Sequence, residues 1–235
     1  MNTTDLVISK SNEVFLKINT EPHIDYELRD HFKFEVEGAK FMPQYRNKYW
    51  NGEIHLYDIR SKQIYVGLLD KIVQFCKNYG YSYKFEDNKY YGTPYEENEH
   101  ISYEGVKDYM QSICSHQPRK YQVEGVYGAL KHNRKLLISP TASGKSLMIY
   151  SLVRYYVDKG QKILLIVPTT SLVEQMYKDF EDYGWNVESY CHRIYSGREK
   201  SNDAPVTITT WQSVYKLDRT FFEDYNVVIG DEAHL

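Results

Sequence analysis

The stretch Leu136-Leu137-Ile138-Ser139-Pro140-Thr141-Ala142-Ser143-Gly144-Lys145-Ser146 decides how the chain is read. An apolar run leads into a Gly-Lys-Ser turn, and an apolar-periodic helix follows. This is the pattern of a phosphate-binding loop. Small residues let successive backbone N–H groups close around phosphate oxygens, a lysine reaches the terminal phosphates, and a hydroxyl serves magnesium. Gly144, Lys145 and Ser146 meet those needs, with Thr141, Ala142 and Ser143 forming the loop. The usual leading glycine is replaced by Ser139.

Two other segments belong with the loop. Tyr225-Asn226-Val227-Val228-Ile229-Gly230 reads as a buried strand that delivers Asp231-Glu232-Ala233-His234 to its carboxyl end. Adjacent carboxylates there suit magnesium binding and water activation. Upstream, Arg119-Lys120-Tyr121-Gln122 starts a helix. The amide of Gln122 has a donor and an acceptor side, which matches the edge of adenine.

With RKYQ, SPTASGKS, IVPTTSLVEQ, TITTWQS and DEAH in this order, residues 117–235 resemble the superfamily 2 helicases and translocases. In that family a small residue often replaces the leading glycine, which accounts for Ser139. The resemblance implies ATP and magnesium as cofactors. Lys145, Asp231 and Glu232 are the implied catalytic set. Ser146 and Asp231 would hold the metal, Asp231 through its waters, and Glu232 would deprotonate the attacking water. Gln122 would select adenine with Arg119 against its ring, and His234 would couple the nucleotide site to the DNA side. Thr169, Thr170 and Thr210 would grip a DNA backbone, a contact that carries no base sequence. The segment FMPQYRNKYWNGEIHLYDIR, residues 41–60, is similar to the amino-terminal domain of phage recombination helicases.

The rest of the chain reads as two α/β bodies. Residues 5–8 and 14–18 form a hairpin, a helix covers 21–34, and a second hairpin turns at Asn51-Gly52. Its aromatics are interleaved with Arg46, Lys48 and Arg60; Arg46, Lys48 and Trp50 are candidate DNA contacts, though the same aromatics could fill a small core. A helix over 66–79 ends at Gly80, and residues 81–85 alternate as a strand. These predict a small α/β domain over 1–87, a linker and connecting helix over 88–116, and a truncated RecA-like motor domain over 117–235. That domain is a doubly wound parallel sheet with strands at 135–139, 162–167, 206–210 and 227–229.

Composition narrows the function classes. The net charge of −3 supplies no global basic field, so a nucleic-acid contact has to use a local groove. The three cysteines are far apart and fit neither a zinc spacing nor a disulfide framework. No apolar run reaches the roughly 20 residues of a membrane span, so the expectation is a cytoplasmic protein, in the host cytoplasm if phage-encoded. The reading is an ATP-dependent helicase or translocase acting on branched or single-stranded DNA in recombination and repair. The alternatives are the motor portion of a restriction endonuclease or a nucleotide-binding module with no motor activity. Leu235 directly follows the DEAH segment, so the chain is expected to be an amino-terminal fragment that lacks its second motor domain and is nearly inactive alone.

Overall fold

The computed structural model describes residues 4–87, 97–140, 142–195 and 203–233. It divides into two compact units, Met1–Glu96 and Glu97–Leu235.

The first unit is built on a hairpin of β1 (Leu6–Lys10) and β2 (Phe15–Thr20). The turn closes because Asn12 Oδ1 accepts the N–H groups of Val14 and Phe15, each at 2.8 Å. Leu6, Ile8, Leu16 and Ile18 alternate onto one buried face. Helix α1 (Pro22–His31) begins with proline at its first turn and Glu21 as N-cap. It stops three residues before the expected end, since Lys33–Glu35 forms strand β3.

The second hairpin differs from its sequence reading. Its first arm is β3 and not residues 41–50, which instead contain the short helix α2 (Pro43–Arg46). The partner strand β4 (Glu53–His55) follows Asn51-Gly52. Gly52 is needed there: its φ is +86°, and a Cβ would lie 3.1 Å from both Ala39 Cβ and the Tyr45 ring. The apolar side chains of 41–50 followed helical rather than alternating spacing, and the Asn-Gly signal marked the turn without choosing its partner.

Strands β5 (Tyr57–Asp58) and β6 (Gln63–Tyr65), helix α3 (Leu69–Tyr79) and strand β7 (Tyr83–Glu86) complete the unit. The sheet order is β5-β6-β2-β1-β7, antiparallel except for β1 against β7. Helix α3 buries Leu69, Ile72, Phe75 and Cys76 and ends at Gly80, whose left-handed backbone caps it onto the Cys76 carbonyl. Asp25 is a buried carboxylate inside this core, 4% exposed. It accepts the Tyr57 hydroxyl at 2.5 Å and pairs with Lys62 Nζ at 3.0 Å, which offsets its desolvation.

In the second unit, the expected connecting helix is α4 (Tyr103–Ile113), and it packs into the body of that unit. Its Val106 and Met110 pack with Val123, Val126 and Leu130 of α5 (Lys120–His132) and with Met148 and Leu152 of α6 (Lys145–Asp158). The sheet comprises β8 (Ile163–Val167), β9 (Cys191–Ile194), β10 (Val206–Thr210) and β11 (Val227–Gly230). All its pairs are parallel, in the order β11-β8-β10-β9. Between them run α7 (Thr170–Asp182), α8 (Val187–Tyr190), α9 (Trp211–Val214) and α10 (Arg219–Glu223). Ile163, Leu165, Val206 and Ile208 share a core with Tyr150, Val153, Val173 and Phe180 from α6 and α7. The α/β class is as expected.

Two strand expectations are corrected. Residues 135–139 form no strand, and Leu136 and Ile138 are 73% and 92% exposed. β-propensity becomes a strand only with a ladder partner, and among the described residues none pairs with this segment. For the same reason β11 is an edge strand rather than a buried one: among the described residues it pairs only with β8, and Val228 faces outward. No helix among the described residues is long and apolar enough to cross a membrane.

Candidate nucleotide site

The loop is held by the start of α5. Gly144 is the N-cap of α6 at φ +79°, and a Cβ there would collide with the Gln122 amide nitrogen. Ala142 takes φ +62° without glycine's freedom, a local cost of about 1–3 kcal/mol. Alternation of left-handed residues is the backbone arrangement of anion-binding nests. The Ser139 and Ser143 hydroxyl oxygens lie 2.5 Å apart, so the serine that replaces the leading glycine ties the two ends of the loop together.

Gln122 is buried and both ends of its amide are engaged. Oε1 accepts the Arg119 N–H at 2.8 Å, half of a capping box, and Nε2 donates to the carbonyls of Ser143 at 3.0 Å and Gly144 at 3.3 Å. Tyr121, to which the sequence alone gives no role, donates its hydroxyl to the same Ser143 carbonyl at 2.6 Å and accepts from Arg119 Nη1 at 3.1 Å. Its signal was present in RKYQ, but only the fold reveals that its hydroxyl reaches across 22 residues. Arg119, Tyr121, Pro140, Ala142, Ser143 and Met148 line a cavity of about 540 Å³, within the range of small-molecule sites.

The acidic pair arrives from the other side. The Asp231 N–H donates to the Ile166 carbonyl of β8 at 2.8 Å, which continues the β11 ladder by one residue. Asp231 Oδ1 then accepts the Glu232 N–H at 3.0 Å. Glu232, at φ +50°, turns back so that Oε1 contacts Lys145 Nζ, an ion pair across 87 residues of sequence. Glu232 beside the ammonium holds the lysine above its usual pKa, and the nearby Asp231 charge adds to the effect against a desolvation cost. Lys145, Asp231 and Glu232 are thus brought together. Ser146 follows Lys145 in the first turn of α6. A side-chain hydroxyl and one carboxylate fit magnesium, which keeps several waters and takes its other ligands from substrate phosphates. Thr141 and His234 lie outside the described residues.

The expected DNA contacts sort differently. Thr169 is exposed and caps α7, its Oγ1 accepting the Leu172 N–H at 3.3 Å, and Thr170 is exposed beside it. Thr210 is buried, 3% exposed, with its hydroxyl 2.8 Å from Ser213 Oγ, so its side chain is committed to the start of α9. In the first unit Arg46 and Lys48 are exposed, whereas the indole N–H of Trp50 donates to the Glu53 carbonyl at 2.7 Å and ties the ring into its own loop.

Residues 115–235, which contain every element of this site, match the family described as type III restriction enzyme, res subunit. The chain belongs to that family. Its ordered motifs are those of superfamily 2 helicases, and a second match covers residues 7–86, to the amino-terminal domain of the DNA helicase UvsW. The res-family chain is 34% identical over 231 residues to the ATP-dependent DNA helicase uvsW of Enterobacteria phage T4, an alignment covering 94% of this chain and 45% of that protein. It therefore spans about half the length of this curated relative. Two crystal structures of T4 UvsW superpose on it, one with TM-score 0.82 at 33% identity over 99% of this chain and 84% of the other. The second has TM-score 0.83 at 32% identity over 99% of this chain and 48% of the other. The ATP-dependent DNA helicase Hel308 of Thermococcus kodakarensis is 27% identical over 117 residues, 46% of this chain and 10% of that protein.

Proposed function

We propose that this chain is the nucleotide-binding part of an ATP-dependent helicase or translocase that works on branched or single-stranded DNA in recombination and repair. The observation that carries the reading is the contact of Lys145 with Glu232, since it joins the start of α6 to the end of β11 beside the loop. The loop N–H groups and the α6 amino terminus bind the β and γ phosphates. Lys145 leaves Glu232 for the γ phosphate, which frees the carboxylate. Glu232 then takes a proton from water as the water oxygen bonds to the γ phosphorus and the bond to the β-phosphate oxygen breaks, giving ADP and phosphate. Ser146 and, through waters, Asp231 would hold magnesium, which would supply charge neutralisation.

Gln122 and Arg119 read the base. Gln122 also holds the loop, through the carbonyls of Ser143 and Gly144, so its amide has to leave them to reach the base, and base recognition and loop shape are coupled. Thr169 and Thr170 contact the DNA backbone, with Arg46 and Lys48 as a second contact. Turnover by the 235-residue chain alone is proposed to be slow, because a second motor domain, its proposed partner, would stabilise the charge on the transferring phosphate. The match over residues 7–86 and the 94% alignment favour this reading over the motor of a restriction endonuclease. Lys145→Ala tests it: titration with a fluorescent ATP analogue is expected to lose binding while circular dichroism is unchanged. Unaltered affinity in the folded variant rejects the nucleotide site.

A further inference from the structure

Two aromatic rings stand exposed at the carboxyl edge of the parallel sheet. Trp211 and Tyr215 are 55% and 49% exposed, with centroids 6.3 Å apart and planes tilted by 34°. They are four residues apart on α9 and its C-cap, which places both on one face. The mount beneath is rigid. Val214 is fully buried, and Thr210 is locked to Ser213. A single exposed aromatic needs no explanation, but a pair on a fixed mount does.

The surroundings favour a nucleic-acid strand over a protein surface. Lys216 Nζ lies 5.3 Å from the Tyr215 ring centroid, so a cation accompanies the flat faces, the combination that binds single strands. The nearest downstream acid, Asp218, is occupied at the start of α10, where it accepts from the Thr220 N–H and hydroxyl, and Arg219 is paired with Glu223. Thr210 is in register with Val167 of β8, so Trp211 emerges at the same sheet edge as Thr169 and Thr170.

We infer that Trp211, together with Tyr215, is a stacking site for a nucleobase of single-stranded nucleic acid, with Lys216 beside its phosphate. The site lies next to the proposed backbone contacts and rests on the DNA reading above. It supplies the attraction that buried Thr210 does not, and it is sequence-tolerant because every base has a π face.

The test titrates the 235-residue chain with oligo-dT and with an abasic strand of equal length, following anisotropy and tryptophan emission. Trp211→Ala is expected to weaken oligo-dT binding by about 5- to 150-fold. It should leave the abasic strand and the salt slope unaltered, since an indole neutralises no phosphate. Trp211→Phe keeps a ring and should stay within a few-fold of wild type. Equal affinity of Trp211→Ala and wild type for oligo-dT overturns the stacking site while the DNA reading stands, and points to a protein cover. Equal loss on both strands also overturns it. Failure of the wild-type chain to bind either strand overturns both.

Discussion

Glu232→Gln separates two jobs of one side chain, the observed contact with Lys145 and the proposed activation of water. The amide keeps the size of the carboxylate and can adopt the same left-handed backbone, so the loop geometry is retained. It loses the negative charge that contacts Lys145 and the basicity that would activate water. The two side chains are 28% and 30% exposed, so the ion pair is partly screened and worth about 0–1 kcal/mol. Releasing Lys145 should therefore tighten ATP binding by up to about fivefold. Loss of the base should lower turnover by about two to four orders of magnitude. Asp231 remains, so magnesium dependence should persist. The assay pairs fluorescent-nucleotide titration with phosphate release, with magnesium present and DNA added, on the longest form of the protein available. Wild-type turnover would place the base elsewhere. Weaker ATP binding would mean that Glu232 positions the loop rather than competing for its lysine.

Asp25→Ala should cost about 2–4 kcal/mol of stability in urea unfolding, because the Tyr57 hydroxyl and Lys62 would lose their buried acceptor, and Tyr57→Phe should cost less. Unchanged stability in Asp25→Ala would show that water replaces the carboxylate. Burial pushes the Cys76 thiol from 9.0 up to about 11 and Cys191 from 9.0 up to about 12. A raised folded value favours folding at pH below the unfolded value, and that contribution is lost as pH climbs from about 9 through the folded values. Both thiols should resist a thiol reagent at pH 8 until denaturant is added, and rapid labelling of the native chain would contradict their burial.

The local geometry of the candidate site was legible along the chain because it depends on residue order. A Gly-Lys-Ser turn must open a helix, two carboxylates must follow an apolar strand, and Gly80 must end an apolar-periodic helix, since each is a demand of backbone geometry within a few residues. Partner choice was not legible. Residues 135–139 have strand composition but form none, because a parallel strand exists only when another chain segment supplies its ladder. The Asn51-Gly52 signal located a turn, yet tertiary packing chose β3 over residues 41–50 as the arm. Thr210 and Trp211 are neighbours in sequence, and only the burial of β10 decided which one faces solvent. The same holds for Tyr121, Gln122 and Glu232. The sequence marked Gln122 and Glu232 as candidate site residues, while the packing of α5 against the loop and the turn after β11 determined what they and Tyr121 touch.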